Sequence, residues 1–229
     1  MEAFLKRPIA HRGLHDNIKI VENTIESFEL AMQNKFAIEC DIVLSKDGEV
    51  MVFHDYDLNR LAAINKPIKN CTASELKNIK LLTTNSVIPS VDEILYKING
   101  EVPILIEIKK SFHPEIEERL FEIIRSYDGE IAIHSYDIKS IKWFQKNAPF
   151  YKLGLISNNS KLEIEDVNNL GVDFLSFEIN ILESDIVKKL KDQGFHILTW
   201  TVDTPEKYQK SLKFADNCIF EKIKINKAL

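Results

Sequence analysis

The sequence predicts a single TIM (β/α)8 barrel, and three observations support this prediction. Strand-like and helical runs alternate along most of the chain, which is typical of a parallel sheet covered by helices. The length of 229 residues fits one such barrel and, less well, two small domains. Only seven glycines and seven prolines occur, so long structureless loops are not expected.

Nine strand-like runs can be recognised by their short apolar stretches. They end near Arg12, Leu44, Asp55, Lys109, Ser135, Ser157, Phe177, Val202 and Phe220. A closed barrel of this type needs eight strands, so one of the nine is extra. The link between the second and third runs, residues 45–48, is too short for a helical crossover. The sequence leaves open which strand is extra and how this junction is arranged.

Helices are predicted between most of the strands, from apolar residues that recur at helical spacing. They are marked by Ile25 with Phe28, Phe121 with Ile124, Ile141 with Phe144, and Ile186 with Leu190. The longest interruption, residues 56–100, contains two capping-box sequences, which begin at Thr72 and Ser90 and each predict a short helix. We predict that 56–100 is a helical insertion or an elaborated connection near the carboxyl-terminal face of one domain, residues 1–229.

Composition and charge exclude several classes of protein. The chain is 45% hydrophobic and 28% charged, which suits a globular protein with a large core, and its net charge of −5 without a basic block argues against nucleic acid as a partner. The cysteines Cys40, Cys71 and Cys218 lack metal-ligand spacing, which predicts reduced, structural thiols. The amino terminus is unlike a signal peptide, and no apolar run approaches the ~20 residues of a membrane span. We therefore expect a cytoplasmic protein without stable membrane anchoring, of undetermined oligomeric state.

Acidic residues stand within two of the apolar strand runs. Glu39 and Asp41 are two positions apart, so both point to the same face of their strand, and Glu107 and Lys109 repeat this pattern. Burying neighbouring carboxylates is costly unless a cation lies between them. Carboxylates are oxygen ligands suited to Mg²⁺ or Ca²⁺. The alternative, a buried ion network with Arg12 and Lys109, leaves charge uncompensated because three acids face two bases.

Two histidines, His11 and His54, stand at the ends of other strand-like runs. Imidazole titrates near neutral pH, so one ring can accept a proton while the other donates one. A lone histidine at a strand end is ordinarily a packed, hydrogen-bonded residue, but two of them beside an acidic cluster favour catalysis. The sequence does not assign the acid and the base. Asp55 points away from His54 and is expected to be a turn residue or to support the site from behind.

The remaining candidates are substrate-binding residues. Arg12 and Lys109 offer cationic donors to phosphate oxygens. Trp200 ends a strand, where it can line a pocket or belong to the core. Asn23 fits a helix N-cap, in a capping box with Glu26.

Six short motifs occur in a fixed order along nearly the whole chain. They are His11-Arg12-Gly13, Glu22-Asn23-Thr24, Glu39-Cys40-Asp41, Asp47-Gly48 before His54-Asp55, Glu107-Ile108-Lys109, and Trp200-Thr201-Val202. Together they resemble the glycerophosphodiester phosphodiesterase family. The resemblance implies a TIM barrel and hydrolysis of glycerophosphodiesters to glycerol 3-phosphate and an alcohol. It also implies a divalent cation held by Glu39, Asp41 and Glu107, and a place in the pocket for Glu22, with Asn23 divided between pocket and helix cap.

The chain departs from the family pattern near its end. Where the family tends to have Thr-Asp-Pro after an apolar strand, this chain has Phe220-Glu221-Lys222. The change lies outside the predicted acid, base and metal residues, so it bears on the substrate pocket more than on catalysis. The other histidines considered, His15, His113 and His196, are predicted to be incidental.

The sequence thus predicts metal-assisted hydrolysis of a water-soluble glycerophosphodiester, with water or the glycerol 2-hydroxyl attacking phosphorus. A lysophospholipase D of the same family is the first rival, and it needs an apolar channel and a membrane-facing surface. A non-catalytic phosphodiester-binding module would be expected to lack a histidine or a metal ligand. An amidohydrolase barrel would have His-x-His at the first strand, where this chain has His11-Arg12-Gly13.

Overall fold

The computed structural model of the protein describes residues 1–110 and 115–225. Within these ranges eight parallel strands close into a barrel, and a ninth pairs antiparallel with one of them. The strands are β1 (Ile9–Ala10), β2 (Ala37–Leu44), β3 (Val50–Val52), β4 (Ile104–Ile108), β5 (Ile131–Ser135), β6 (Lys152–Ser157), β7 (Phe174–Glu178), β8 (His196–Val202) and β9 (Asn217–Phe220). β9 pairs with β1 and completes the ring, so the predicted TIM barrel is confirmed.

The extra strand is β3, the third strand-like run of the sequence. It folds back on β2 in a hairpin, with Ile42 opposite Val52. The four-residue link becomes a tight turn in which the Ser45 N–H donates to the Glu49 carbonyl and Gly48 adopts φ +83°. The chain after β3 therefore returns to the carboxyl end of the barrel, which is where His54 lies.

Ten α-helices lie within the described ranges. They are α1 (Glu2–Lys6), α2 (Ile25–Gln33), α3 (Asn59–Ala62), α4 (Ala73–Leu76), α5 (Val91–Ile98), α6 (Ile116–Ile124), α7 (Ile138–Asn147), α8 (Ile164–Leu170), α9 (Asp185–Asp192) and α10 (Pro205–Phe214). None of them, over these residues, has both the length and the apolar character that a bilayer crossing requires. Of these helices, the apolar spacing in the sequence predicts α2, α6, α7 and α9.

Both predicted capping boxes are present in the stretch 56–100. Thr72 caps α4 with Glu75, and Ser90 caps α5 with Glu93. α5 packs against α2 and β3, as a barrel helix would, whereas the preceding residues build a separate small apolar cluster against the hairpin. That residues 1–229 make one domain with 56–100 as an insertion or elaborated connection stays a prediction.

Side-chain alternation along the strands sorts the barrel interior into layers. The lower layer is apolar and includes Ile9, Ala37, Leu105 and Ala132, with Phe4 from α1 beneath it. One step toward the carboxyl ends, the same faces carry Glu39, Asp41, Glu107 and His134. The interior of the barrel therefore changes from apolar to ionisable side chains within a few residues along each of these strands.

Candidate active site

The predicted site residues meet at the carboxyl end of the barrel. A cavity of about 100 Å³ is lined by His11, Glu39, His54, Glu107 and Trp200, among others. A larger cavity of about 600 Å³ shares His54 and Glu107 with it. Residues from both ends of the chain thus face one pocket, at the face where barrel enzymes hold their active sites.

Asp41 is buried between two cations. Its carboxylate lies 3.2 Å from Arg12 Nε and 3.3 Å from Lys109 Nζ, and Asn23 Nδ2 donates to Oδ2 at 2.9 Å. Burial acts to raise the pKa of Asp41, but Lys109 and Arg12 outweigh it and hold that pKa well below its usual range. Asp41 is therefore ionised in the folded protein.

Glu39 and Glu107 are in the opposite electrostatic situation. Glu39 Oε2 accepts the Arg12 backbone N–H at 2.8 Å, while Oε1 has no hydrogen-bond partner. Burial first, and then Asp41, raise the pKa of Glu39 well above its usual range and that of Glu107 to about 7. The Lys109 Nζ that donates to Glu107 at 2.7 Å offsets only part of this effect. These two carboxylates lack sufficient positive charge nearby.

His134 joins this pair, although the sequence did not single it out as a site residue. One ligand atom each of Glu39, Glu107 and His134 lie within 4.8 Å of one another. His134 is 2% exposed, and burial lowers its pKa to about 3. The signal that could have found it is its position near the carboxyl end of β5, in register with Glu107.

The donor set fits a divalent cation. Two buried carboxylate oxygens, Glu39 Oε1 and Asp41 Oδ1, and the imidazole nitrogen His134 Nε2 have no hydrogen-bond partner. Buried polar atoms are ordinarily paired, and an ion would satisfy several of them at once. Asp41 Oδ1 nevertheless lies 3.3 Å from Lys109 Nζ, and the ligand atoms that come within 4.8 Å of one another belong to Glu39, Glu107 and His134.

His11 follows β1 and is supported by the far end of the chain. Its Nδ1 lies 2.7 Å from Glu221 Oε2, and the buried His15 Nε2 lies 3.7 Å from the same oxygen. Burial lowers the pKa of His11, and the hydrogen bond to Glu221 opposes this. Glu221, which belongs to the run that departs from the family pattern, thus contacts a predicted catalytic residue, and that His15 is incidental stays a prediction. His196 begins β8, away from the site, and His113 lies outside the described residues.

His54 has its own carboxylate partner. Its Nδ1 lies 2.6 Å from Asp55 Oδ1, in agreement with the supporting position expected for Asp55. Asp55 Oδ2 in turn accepts from Arg60 Nε at 2.7 Å. Burial lowers the pKa of His54, and Asp41 and Asp55 counteract it. With Nδ1 engaged in this way, Nε2 is the nitrogen left for a substrate.

Glu22 and Asn23 hold the loop between β1 and α2 against the site. Glu22 Oε1 lies 2.6 Å from Arg12 Nη1 and 2.7 Å from Arg60 Nη2. The N-cap of α2 is Thr24, in a capping box with Ser27, so the assignment of Asn23 and Glu26 to a capping box was wrong. Asn23 instead adopts φ +56° and directs its amide to Asp41.

Trp200 borders the pocket from β8. Its Nε1 donates to the Ser176 carbonyl at 3.0 Å, which fixes the indole plane. The Tyr136 ring stands edge-on to it, with centroids 6.0 Å apart. The two rings form an aromatic part of the pocket wall.

The chain is similar to known proteins over most of its length. Residues 11–221 match the family model of the glycerophosphoryl diester phosphodiesterase family. A glycerophosphodiester phosphodiesterase of Caldanaerobacter subterraneus subsp. tengcongensis is 31% identical over 221 residues, which cover 90% of this chain and 89% of the relative. The crystal structure of a glycerophosphodiester phosphodiesterase from Thermotoga maritima is similar with a TM-score of 0.78 and 27% identity, over 93% of this chain and 92% of that one.

A phosphodiesterase of Oleispira antarctica, solved in complex with the product sn-glycerol-3-phosphate, is similar with a TM-score of 0.86 and 22% identity. The similarity covers 96% of this chain and 94% of that one. At 22% identity it supports the assignment of the fold. Together with the family match over residues 11–221, these findings show that the chain belongs to the glycerophosphoryl diester phosphodiesterase family and is a hydrolase of glycerophosphodiesters.

Proposed function

We propose that the protein hydrolyses water-soluble glycerophosphodiesters to sn-glycerol 3-phosphate and an alcohol, and that this reaction requires a divalent cation. The observation that carries the proposal is the pair of buried carboxylates Glu39 and Glu107, which lie beside the ionised Asp41 without enough positive charge to offset their burial. Two histidines that each contact another carboxylate, His11 and His54, line the same pocket. A phosphate diester is an anion, so a cation between it and these carboxylates makes the two compatible.

Glu39, Asp41 and Glu107 are the residues proposed to hold the cation, as Mg²⁺ or Ca²⁺. When bound, the ion supplies Lewis acidity at a non-bridging phosphate oxygen. The buried Glu39 Oε1, which has no hydrogen-bond partner, and the approach of Glu39 to Glu107 support this assignment.

Arg12 and Lys109 are proposed to bind the phosphate and to stabilise the charge that develops on it. Both side chains are largely buried and both contact Asp41, which holds them rigidly beside the acidic cluster. Donors that are fixed before the reaction lower the barrier more than donors that must be ordered during it. Glu22 and Asn23 are proposed to keep Arg12 and Asp41 in place, and Trp200 to form the wall of the glycerol side.

His11 and His54 are proposed to move the protons. One imidazole Nε2 takes the proton from the attacking oxygen, either water or the glycerol 2-hydroxyl, and the other gives a proton to the departing alcohol oxygen. Phosphorus gains one P–O bond and loses the ester bond to the departing alcohol. Attack by water gives sn-glycerol 3-phosphate directly, whereas attack by the glycerol 2-hydroxyl gives a cyclic phosphate, which a water molecule then opens with the two histidines in exchanged roles. Glu221 and Asp55 accept a hydrogen bond from the Nδ1–H groups, which stabilises the imidazolium form of each ring.

The proposed product is supported by the Oleispira antarctica phosphodiesterase of the same fold, which was solved with sn-glycerol-3-phosphate. A second candidate, lysophospholipase D activity, is favoured by an apolar cavity of about 230 Å³ that includes Val43, Leu44 and Ile68. This cavity shares Tyr56 and Lys109 with the larger active-site cavity. A lysophospholipase D of Rattus norvegicus is 29% identical over 143 residues, 44% of its length.

The test uses purified protein with glycerophosphocholine, glycerophosphoethanolamine and a lysophospholipid, with sn-glycerol 3-phosphate and lysophosphatidate as the measured products. We expect turnover of both deacylated diesters with similar kcat/KM, its loss in excess chelator and its return with Mg²⁺ or Ca²⁺. Bis(p-nitrophenyl) phosphate, which lacks glycerol, should be a poor substrate. Full activity after verified metal removal contradicts the cation requirement. Strong preference for the acylated substrate replaces the proposal by the lysophospholipase D candidate.

A further inference from the structure

The strongest unexplained feature of the site is the imidazole of His134. The side chain is buried, with 2% exposure, and its Nε2 has no hydrogen-bond partner. A buried polar atom left without a partner carries a free-energy cost that a folded protein ordinarily avoids. One ring nitrogen of His134 lies within 4.8 Å of ligand atoms of Glu39 and Glu107, so a partner that binds the ring here must also suit two carboxylates.

The other nitrogen of the ring is already engaged. His134 Nδ1 lies 3.1 Å from the Oγ atom of Ser176, a residue of β7. When Nδ1 carries the hydrogen and donates it to this hydroxyl, Nε2 presents a lone pair to the acidic cluster. Metal-binding histidines typically donate their second N–H to an oxygen acceptor in this way, which fixes both tautomer and ring orientation.

The distances allow all three side chains to reach one ion. One ligand atom each of Glu39, Glu107 and His134 lie within 4.8 Å of one another. Two ligands on opposite sides of a divalent ion stand about 4 to 5 Å apart, given metal–ligand distances of about 2.0 to 2.6 Å. Glu107 and His134 are held side by side by the register of β4 and β5, so their approach is set by the backbone.

We propose that His134 Nε2 is a metal ligand, and that this nitrogen makes the site select a first-row transition cation such as Mn²⁺ over Mg²⁺ and Ca²⁺. Imidazole binds first-row transition ions well, whereas Mg²⁺ and Ca²⁺ prefer oxygen ligands. The inference rests on the proposed function only in that a divalent cation binds at this cluster. It adds a ligand and an ion class that the three carboxylates alone do not indicate.

The test measures binding of Mn²⁺, Mg²⁺ and Ca²⁺ to metal-free protein by isothermal titration calorimetry. We expect the wild-type protein to bind Mn²⁺ at least about tenfold more tightly than Mg²⁺. His134→Gln should weaken Mn²⁺ binding by about 10- to 100-fold and change Mg²⁺ binding by less than about threefold. His196→Gln is the matched control, because it makes the same change at the start of β8 and should leave all three affinities unchanged.

Pulsed electron paramagnetic resonance of bound Mn²⁺ gives a direct readout of the nitrogen. The ¹⁴N modulation of an imidazole ligand should be present in wild-type and His196→Gln protein and absent in His134→Gln. Circular dichroism and thermal unfolding establish that each variant is folded. If His134→Gln does not fold, Ser176→Ala takes its place, since loss of the Nδ1 acceptor should still weaken Mn²⁺ binding by about 10-fold or more.

Equal Mn²⁺ affinity in the wild type and in folded His134→Gln, or nitrogen modulation that persists in that variant, overturns the inference. An unchanged Mn²⁺ affinity in Ser176→Ala does so where that variant must serve instead. Failure of the proposed function looks different: no divalent cation binds the wild-type protein, or turnover of glycerophosphocholine survives excess chelator. If Mg²⁺ binds and supports turnover while Mn²⁺ gains nothing from His134, only the metal-selectivity inference fails.

Discussion

At the scale of single residues, each of the two proposed catalytic histidines is held by one carboxylate. Asp55 directly follows His54 in the chain, whereas Glu221 reaches His11 across 210 positions. In both cases the contact is to Nδ1, which leaves Nε2 as the nitrogen available to a substrate. Asp55, next to His54 in the sequence, and Glu221, distant from His11, therefore leave the same ring nitrogen of their histidines available.

The first prediction concerns these histidines. His11→Ala and His54→Ala should each lower kcat by about 10²- to 10⁴-fold, because each removes a group that transfers a proton in the transition state. The kcat of the double variant should be little lower than that of the less active single variant, since the effects of groups that act as a unit are not additive. Steady-state kinetics with glycerophosphocholine measure this, with circular dichroism as the check of folding. Near-normal kcat in folded His54→Ala would remove His54 from the mechanism.

The second prediction concerns Glu221. Glu221→Gln keeps the shape of the side chain but removes the charge that supports imidazolium at His11, and an amide can face Nδ1 with its NH₂ group. We expect kcat to fall by between about 10- and 10⁴-fold with little change in KM, as for other carboxylates that orient a catalytic histidine. Glu206→Gln, an exposed position in α10, is the control. Unchanged kcat in Glu221→Gln would show that His11 does not depend on this contact.

At the scale of elements, the hairpin of β2 and β3 and the short helix α3 complete a site that the barrel strands begin. Phe53 N–H donates to the Asp41 carbonyl at 3.0 Å, which fixes the chain just before His54. Arg60, from α3, contacts both Asp55 and the buried Glu22. Arg60, in the segment that follows the extra strand, is thus a brace that holds two residues in place. One is Asp55, the partner of His54, and the other is Glu22, in the loop between β1 and α2.

The third prediction tests this brace. Burial alone would raise the pKa of Glu22, but Arg60 and Arg12 hold it well below its usual range, so the loss of Arg60 leaves a buried carboxylate with less compensation. Arg60→Gln should lower the free energy of unfolding by about 1–2 kcal/mol, a value reduced for the partial exposure of Arg60. It should also lower kcat by about 10- to 10²-fold through displacement of Asp55 and His54.

Urea unfolding and steady-state kinetics measure the two effects of Arg60→Gln. Arg60→Lys keeps the charge without the forked geometry and should recover part of both. Arg119→Gln, which removes an exposed arginine paired with Glu115, should change stability by less than about 0.5 kcal/mol. If Arg60→Gln behaves like this control in both measurements, the brace has no energetic role.

At the scale of the whole molecule, the carboxyl end of the barrel brings together carboxylates whose pKa values are lowered and carboxylates whose pKa values are raised. Asp41, Glu22 and Glu221 have depressed pKa values, so their stabilising contribution is present above their ordinary pKa and is lost as the pH falls below it. Glu39 and Glu107 have raised pKa values, so the folded metal-free protein holds protons that the unfolded chain has released. Above their ordinary pKa, these two carboxylates therefore destabilise the fold increasingly as the pH rises.

The fourth prediction concerns the pH dependence of stability that follows from the raised pKa of Glu107. His11, His54 and His134 have lowered pKa values, so near their ordinary pKa of 6.5 the unfolded chain binds more protons at these histidines than the folded protein, and their contribution to stability rises with pH there. Comparison with Glu107→Gln removes this contribution and isolates the effect of Glu107. With the pKa of Glu107 at about 7, metal-free wild-type protein should lose, relative to Glu107→Gln, on the order of 1 kcal/mol between about pH 6.5 and 8, or roughly 2–4 °C in Tm. A saturating divalent cation should remove this loss.

Differential scanning calorimetry of chelated and cation-loaded protein measures the pH effect. Glu107→Gln supplies the reference profile from which the loss due to Glu107 is measured, whereas Glu206→Gln should give the same metal-free profile as the wild type. Cation binding should also release protons, and its affinity should rise with pH, because the ion displaces protons from Glu39 and Glu107. If the Tm of the metal-free wild-type protein does not fall relative to that of Glu107→Gln from pH 6.5 to 8, the raised pKa of Glu107 is contradicted.

The sequence by itself determined the barrel, the family and most of the acidic site. Alternation of strands and helices predicted the parallel barrel, and a two-residue spacing placed Glu39 beside Asp41, because strand periodicity is a local property of the chain. The tertiary structure decided that β3 is the extra strand, that Glu221 supports His11, and that His134 faces the cluster. These contacts depend on strand register and barrel closure, which bring together residues that no local pattern connects.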